Sequence, residues 1–178
     1  TPHLVEHTEV VDTLSWSRDS RRLVYIAGGE GRAELRILDV ESRRSEAIRG
    51  ATGRVPAWSP TQDVIAVVRA TNGVATAHFI SPAGAEQRAP VPIASVGSPL
   101  SIAWSPDGQR LALINLPGRN LAEVWVLDLR SAELHRVVGL PAPSDLSGAT
   151  WSPDGRSLIL GRVEFDNEVL LIEGLPKL

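Results

Sequence analysis

The sequence predicts an all-β fold made of four copies of one sheet, and three observations predict it. The stretch Trp104-Ser105-Pro106-Asp107-Gly108 recurs as Trp151-Ser152-Pro153-Asp154-Gly155, with worn copies at Trp16-Ser17-Arg18-Asp19-Ser20 and Trp58-Ser59-Pro60-Thr61-Gln62-Asp63. The four tryptophans lie 42, 46 and 47 residues apart, a period that belongs to stacked or circular units. Each copy is followed by short apolar runs rich in β-branched residues, and no segment carries a helical period.

Aligned on the tryptophans, each unit reads the same way. A short segment enters the Trp: Thr13 to Trp16, Val55 to Trp58, Ser101 to Trp104, Gly148 to Trp151. Asp107-Gly108 and Asp154-Gly155 then mark a hairpin, because Gly takes positive φ at no steric cost. Next comes an unbroken apolar run: Leu23 to Ala27, Val64 to Val68, Leu111 to Ile114, Leu158 to Leu160. Absence of alternation predicts a strand covered on both faces. Loops are expected at Gly28 to Arg32, Arg69 to Gly73, Asn115 to Asn120 and Gly161 to Asn167. A third strand follows at Glu34 to Val40, Thr76 to Ile80, Glu123 to Leu129 and Glu168 to Ile172. The fourth is more polar, at Ser45 to Arg49, Gln87 to Val91 and Leu134 to Val138, and suits a sheet edge.

A four-stranded antiparallel sheet that is apolar on both faces must be sandwiched between copies of itself, and a ring of such sheets is a β-propeller. The units resemble the Trp-Ser-Pro-Asp-Gly type, WD-repeat-like blades of the TolB β-propeller family, over nearly the whole chain. The third and fourth units keep the motif intact, and the second, which has no Gly in its turn, departs from it most. In that family the motif builds the blade and performs no chemistry.

One propeller domain is therefore expected over residues 1–178, with blades at about 12–50, 54–92, 100–140 and 147–178. The last blade lacks a fourth strand, which the segment at about 3–8 is expected to supply. Three arrangements fit: a closed four-bladed ring, half of a two-chain ring of eight blades in which a homodimer completes the circle, and a piece of a longer chain. The two-chain ring comes first, since the resemblance implies more than four blades, the lower limit for a ring. Solution mass separates a 19.1 kDa monomer from a dimer.

Composition narrows the function classes. Hydrophobic content of 43% with 22% charge is globular, and a net charge of -3 offers no general attraction to nucleic acid or acidic membranes. There is no cysteine, so disulfides and thiolate metal sites are excluded. No apolar run is long enough to span a bilayer, and Thr1 to His7 reads as no signal peptide. With no Met anywhere, the chain reads as a mature or excised piece.

Candidate chemistry is sparse. His3, His7, His78 and His135 have no adjacent ligand cluster and read as solvated or edge-strand residues. The serines form no Gly-x-Ser-x-Gly elbow. Ser17, Ser59, Ser105 and Ser152, like Asp19, Asp107 and Asp154, recur with the fold, whereas a catalytic residue is unique; they read as turn residues. Gly28 to Arg32 lacks the helix that a phosphate loop requires. No catalytic residue, metal site or cofactor is expected. Trp104→Ala is expected to cost about 3 to 5 kcal/mol, as for a buried aromatic.

The loops at the far end of the strands carry the remaining signal, because a rigid scaffold places binding there. They hold Arg32, Arg54, Arg69, Arg119 and Arg162, with Glu30, Asp145, Glu164 and Asp166 among them; Leu140 to Ser147 is the longest. Such arginines suit a carboxylate-bearing partner, although they read as non-equivalent between blades and nearly balanced by acids. The resemblance implies a non-catalytic scaffold for a protein or peptide partner, periplasmic or extracytoplasmic in a bacterium, with a cytoplasmic setting also open. The alternatives are an accessory or gating propeller of a prolyl-oligopeptidase or tricorn type serine peptidase, and a ligand-sensing propeller of a membrane or kinase-linked regulator.

Overall fold

A computed structural model describes residues 11–28, 33–97, 99–118, 121–141, 145–163 and 168–172. The described residues contain fifteen strands and no helix, hence no helix long and apolar enough to cross a membrane. They form four sheets. The first holds β1 (Val11–Trp16), β2 (Arg22–Ala27), β3 (Glu34–Asp39) and β4 (Arg44–Ala47), in that order. The second holds β5 (Arg54–Trp58), β6 (Ile65–Thr71), β7 (Val74–Ile80) and β8 (Val91–Pro92). The third holds β9 (Ser101–Trp104), β10 (Arg110–Gly118), β11 (Leu121–Asp128) and β12 (Leu134–Pro141). The fourth, three-stranded among the described residues, holds β13 (Asp145–Trp151), β14 (Leu158–Val163) and β15 (Glu168–Ile172). Consecutive strands are neighbours throughout, and the pairs with a resolved register are antiparallel. This is the meander expected of propeller blades.

The unbroken apolar runs are covered on both faces, as their lack of alternation predicts. Val24 to Ala27, Ile65 to Val68 and Leu111 to Ile114 are all buried. The chain divides into two compact units, one of Thr1–Arg69 with Ala77–Pro90, the other of Ala70–Thr76 with Val91–Leu178. In the first unit one cluster joins two sheets: Val24, Ile26, Leu35 and Ile48 from the first pack with Trp58, Ile65, Val67 and Ile80 from the second. In the second unit Ala112, Ile114, Val124 and Val126 of the third sheet pack with Trp151, Leu158 and Leu160 of the fourth.

Strand pairing tells which face is which. Trp16 pairs with Leu23 and Trp104 with Leu111, so Val24 and Ala112 lie on the faces opposite those tryptophans. In both units, therefore, the Trp face of the later sheet packs on the non-Trp face of the earlier one. Arginines six residues after Trp16 and Trp104 reinforce the junction. Arg22 lies over the Trp58 ring at 4.8 Å and Arg110 over the Trp151 ring at 4.6 Å. The indole N–H of Trp58 donates to Asp63 at 3.1 Å, and that of Trp151 to the Ala103 carbonyl at 3.1 Å.

Several expectations are corrected. The tryptophans are not equally packed: Trp58 and Trp151 are buried, Trp104 is half-buried, and Trp16 is 55% exposed. The expected figure for Trp104→Ala therefore belongs to Trp58 and Trp151. The loops at Asn115 to Asn120 and Leu140 to Ser147 are largely strand, because β10 with β11 and β12 with β13 extend beyond the apolar runs. Backbone pairing costs no side-chain burial, so polar strand ends escape an apolar-run reading. The fourth strand of the second sheet is not continuous over Gln87 to Val91. It touches β7 at the Ile80–Glu86 bridge and the Gln87-to-Phe79 bond, then again at β8. Pro90, without an N–H, falls in the gap. The outer strand expected at residues 3–8 lies outside the described residues.

Candidate functional site

The recurrent Ser and Asp are the first candidates to resolve. The Ser105 hydroxyl donates to Asp107 Oδ1 at 2.6 Å and accepts from the Arg110 N–H at 2.9 Å. Asp107 Oδ1 also accepts from the Gln109 N–H at 3.0 Å. The same three bonds recur around Ser17 with Asp19 and around Ser152 with Asp154. Thr61 replaces the Asp in the second sheet, and the contacts of Ser59 lengthen to 3.3 and 3.4 Å. Each serine hydroxyl and each of these aspartates is spent inside its turn, so the motif builds hairpins. A second turn device joins β3 to β4 and β11 to β12. There Asp39 accepts from the Ser42 N–H at 2.7 Å, and Asp128 from the Arg130 and Ser131 N–H groups at 2.7 and 3.0 Å.

These carboxyls sit below the ordinary aspartate range. The Ser17 hydroxyl lowers Asp19, the Ser152 hydroxyl lowers Asp154, Ser42 lowers Asp39 and the Ser131 N–H lowers Asp128. Burial pushes Asp107 up, but Ser105 and the Gln109 N–H outweigh it. A carboxyl lowered by folding contributes stability that is fully present above its unfolded pKa and is lost as pH falls through the folded one. The melting temperature should therefore fall steeply below about pH 4. Asp107→Asn should shrink that acid-induced fall, as thermal melts followed by circular dichroism across pH would report.

What does not recur is a polar cluster on the second sheet. Arg69 donates through Nε to the Thr52 carbonyl at 2.9 Å and through Nη1 to Glu86 Oε1 at 2.6 Å. His78 Nδ1 lies 2.9 Å from that Nη1 and 3.0 Å from that carboxylate. Arg69 only donates and the carboxylate only accepts, so Nδ1 accepts from arginine when unprotonated and donates to Glu86 when protonated. Burial would raise the Glu86 carboxyl, but the bonds from His78 and Arg69 outweigh it and hold it low. Among the described residues no hydroxyl is hydrogen-bonded to His78, so the cluster offers charge recognition and positioning, with no nucleophile attached. His78, read from the sequence as a residue without an adjacent ligand cluster, thus has one acidic partner, Glu86, which the sequence reading did not name. Glu86 is brought back by the turn at Ser81 to Gly84, where Ser81 N–H donates to the Ala85 carbonyl; Pro82 and Gly84 were the available signal.

A carboxylate on the third sheet is, unlike Glu86, buried. Glu123 accepts from the Trp125 indole at 3.0 Å and from Arg136 at 3.2 Å. It stands opposite the buried Asn115.

The predicted loop residues distribute as follows. Arg54 is exposed on β5, opposite Val68, which places it beside Arg69 on β6. Asp145 and Arg162 are in strands, Asp145 opposite Val163 and Arg162 opposite Leu146. Arg32, Arg119 and Asp166, with Glu30 and Glu164, lie outside the described residues, as do His3 and His7. Arg69 and Arg162 each stand eleven residues after their tryptophans, Trp58 and Trp151. That corrects the reading of the arginines as non-equivalent: the second and fourth sheets share one. Among the described residues no group of three or more His, Asp or Glu converges as a metal site.

The sequence matches the family described as the Lipoprotein LpqB beta-propeller domain over residues 2–146. The chain belongs to this TolB-like β-propeller repeat family. It is similar in structure to TolB from Acinetobacter baumannii, with TM-score 0.68 and 17% identity, over 92% of this chain and 41% of that one. It is also similar to putative TolB from Agrobacterium tumefaciens, with TM-score 0.71 and 18% identity, over 96% and 61%. A prolyl endopeptidase structure matches with TM-score 0.59 and 15% identity, over 92% of this chain and 27% of that one. The chain thus spans about half the length of the TolB structures. No curated protein matches it.

Proposed function

We propose that this LpqB-type chain is a non-catalytic propeller acting as an extracytoplasmic platform for a protein or peptide partner in a bacterium. The observation that carries the reading is the family match over residues 2–146, a family named for a lipoprotein. It is supported by the motif's own chemistry, since the recurrent serines and aspartates are consumed by turns and leave no activated hydroxyl there. In this reading residues 1–178 form one propeller domain whose sheets are blades, at about 12–50, 54–92, 100–140 and 147–178. Its ring is either closed with four blades or shared as eight between two chains. Neither nucleic acid nor membrane insertion enters it.

Recognition falls to the strand ends that carry Arg54, Arg69 and Arg162, with Arg32, Arg119, Asp145 and Asp166 as further candidates from the sequence. Arginine at such positions pairs with carboxylates through charge-assisted bonds worth about 1.5 to 3 kcal/mol each. The test is a titration of carboxylate-bearing peptides against the wild type and the Arg54→Ala, Arg162→Ala double variant. The variant should bind at least about tenfold more weakly. Equal affinity, or peptide hydrolysis by the purified chain, would overturn the reading.

The prolyl endopeptidase match favours a second reading, an accessory propeller of a serine peptidase. In that case the isolated chain would be inactive, and a catalytic α/β domain in the parent protein would mark it.

A further inference from the structure

β4 is the last strand of the first sheet, and no described strand pairs with its outer edge. The Ile48 N–H donates to the Leu35 carbonyl, so alternation along the strand turns the N–H groups of Ser45 and Ala47 away from β3. The Ser45 carbonyl accepts from Arg36 Nη2 at 3.0 Å, whereas those two N–H groups have no partner among the described residues. Beside this edge lies a cleft of about 370 Å³, contained within one of the two compact units. Ile37, Asp39, Arg44, Glu46 and Ile48 line it from the first sheet, and Pro82, in the turn after β7, lines it from the second.

Register tells what this edge accepts. One cross-strand row reads Arg22, Asp39, Arg44, and the next reads Val24, Ile37, Glu46. Both rows lie on the face that packs against the second sheet, since Val24 belongs to that cluster. The first row alternates in sign and stops on a positive charge; the second stops on a negative one. Arg44 and Glu46 are exposed, and neither side chain has an ion pair or hydrogen bond among the described residues. Charges on an edge strand oppose indiscriminate pairing, so a strand added here has to match them.

We propose that β4 and its cleft receive an extended peptide segment of a partner protein as a fifth, antiparallel strand. Backbone bonds to Ser45 and Ala47 hold the segment, and the side chains that enter the cleft select it. Opposite charges pair across neighbouring strands, so an acidic residue stands opposite Arg44 and a basic residue opposite Glu46. An antiparallel strand meets Glu46 first. The segment therefore reads basic residue, any residue, acidic residue, with an apolar residue two positions earlier opposite Ile48. A second copy of this chain carries the same order in Arg44-Ser45-Glu46. The four residues of β4, however, bury too little to hold two folded chains together, whereas a peptide also fills the cleft. None of the arginines assigned to recognition above takes part, so this surface stands or falls separately from that reading.

The experiment is calorimetric titration of the whole chain with two peptides capped at both ends, Val-Thr-Lys-Thr-Glu-Thr and the charge-swapped Val-Thr-Glu-Thr-Lys-Thr. The first should bind about tenfold more tightly. The Arg44→Glu, Glu46→Arg double variant should reverse the preference, and the Arg44→Ala, Glu46→Ala double variant should level it. Both peptides carry the same charges, so binding at the arginine ends would not tell them apart. Amide exchange followed by NMR should slow at Ser45 and Ala47 when the first peptide is bound. Equal affinity of the wild type for the two peptides, no binding of either, or unchanged exchange at both amides overturns the proposal. So does a wild type that sediments as a dimer and becomes a 19.1 kDa monomer on Arg44→Glu, which would give the edge to a second copy.

Discussion

Trp58→Ala should destabilise the chain by about 3 to 5 kcal/mol, the cost of truncating a buried large aromatic. The indole is 4% exposed and sits in a cluster with Val24, Ile26 and Leu35 of the preceding sheet. Its N–H is bonded to Asp63, and Arg22 covers its ring. Removing it opens a cavity between two sheets and leaves the guanidinium without its ring, a contact worth about 0.5 to 2 kcal/mol. Trp151→Ala should cost a similar amount, since its environment repeats these features. Trp16→Ala should cost under about 1 kcal/mol in a monomer, because more than half of that side chain is already in water. Urea unfolding of the three variants would rank them, and equal losses at Trp16 and Trp58 would show that the faces are misassigned.

The second large effect is expected at Gly84, in the turn after β7. Its φ is +90°, a region that L side chains rarely adopt. A Cβ there would lie 2.5 Å from the Arg49 carbonyl oxygen, which is backbone and cannot swing away. Gly84→Ala thus combines a left-handed penalty of about 1 to 2 kcal/mol with an overpacking cost of about 1 to 3 kcal/mol. The loss should read as about 2 to 5 kcal/mol in chemical denaturation. Gly73→Ala is the control: it shares positive φ in the Asn72-Gly73 hairpin, but nothing lies within 4 Å of its Cβ position, so only the backbone penalty applies.

These contrasts mark how far the sequence could be read. Strand order was legible because the repeat and the unbroken apolar runs report two-sided burial directly, as Ile65 to Val68 show. The inequality of the tryptophans was not legible. Trp16 and Trp58 have the same local sequence role, and only their neighbouring sheets distinguish them. Strand ends such as Asn115 to Gly118 and Asp145 to Ser147 were hidden because backbone pairing needs no apolar side chain. At the candidate site, Arg69 was readable as a lone charge near a hairpin. Its partners were not, because Glu86, seventeen residues away from Arg69 in sequence, returns to His78 through a turn. The equivalence of Arg69 and Arg162 was present in the numbering and is seen by counting from each tryptophan rather than from the loops.

In each of the two compact units the Trp face of the later sheet packs on the non-Trp face of the earlier one, and a double-mutant cycle tests this packing most directly. Leu35 of the first sheet and Trp58 of the second, 1% and 4% exposed, belong to the same cluster. Stability should be measured for Leu35→Ala, Trp58→Ala and the double variant. The account predicts a coupling of about 0.5 to 3 kcal/mol, the range for residues that share a packed site. Losses that add within about 0.3 kcal/mol would place the two side chains in separate environments and contradict the stacked-blade account.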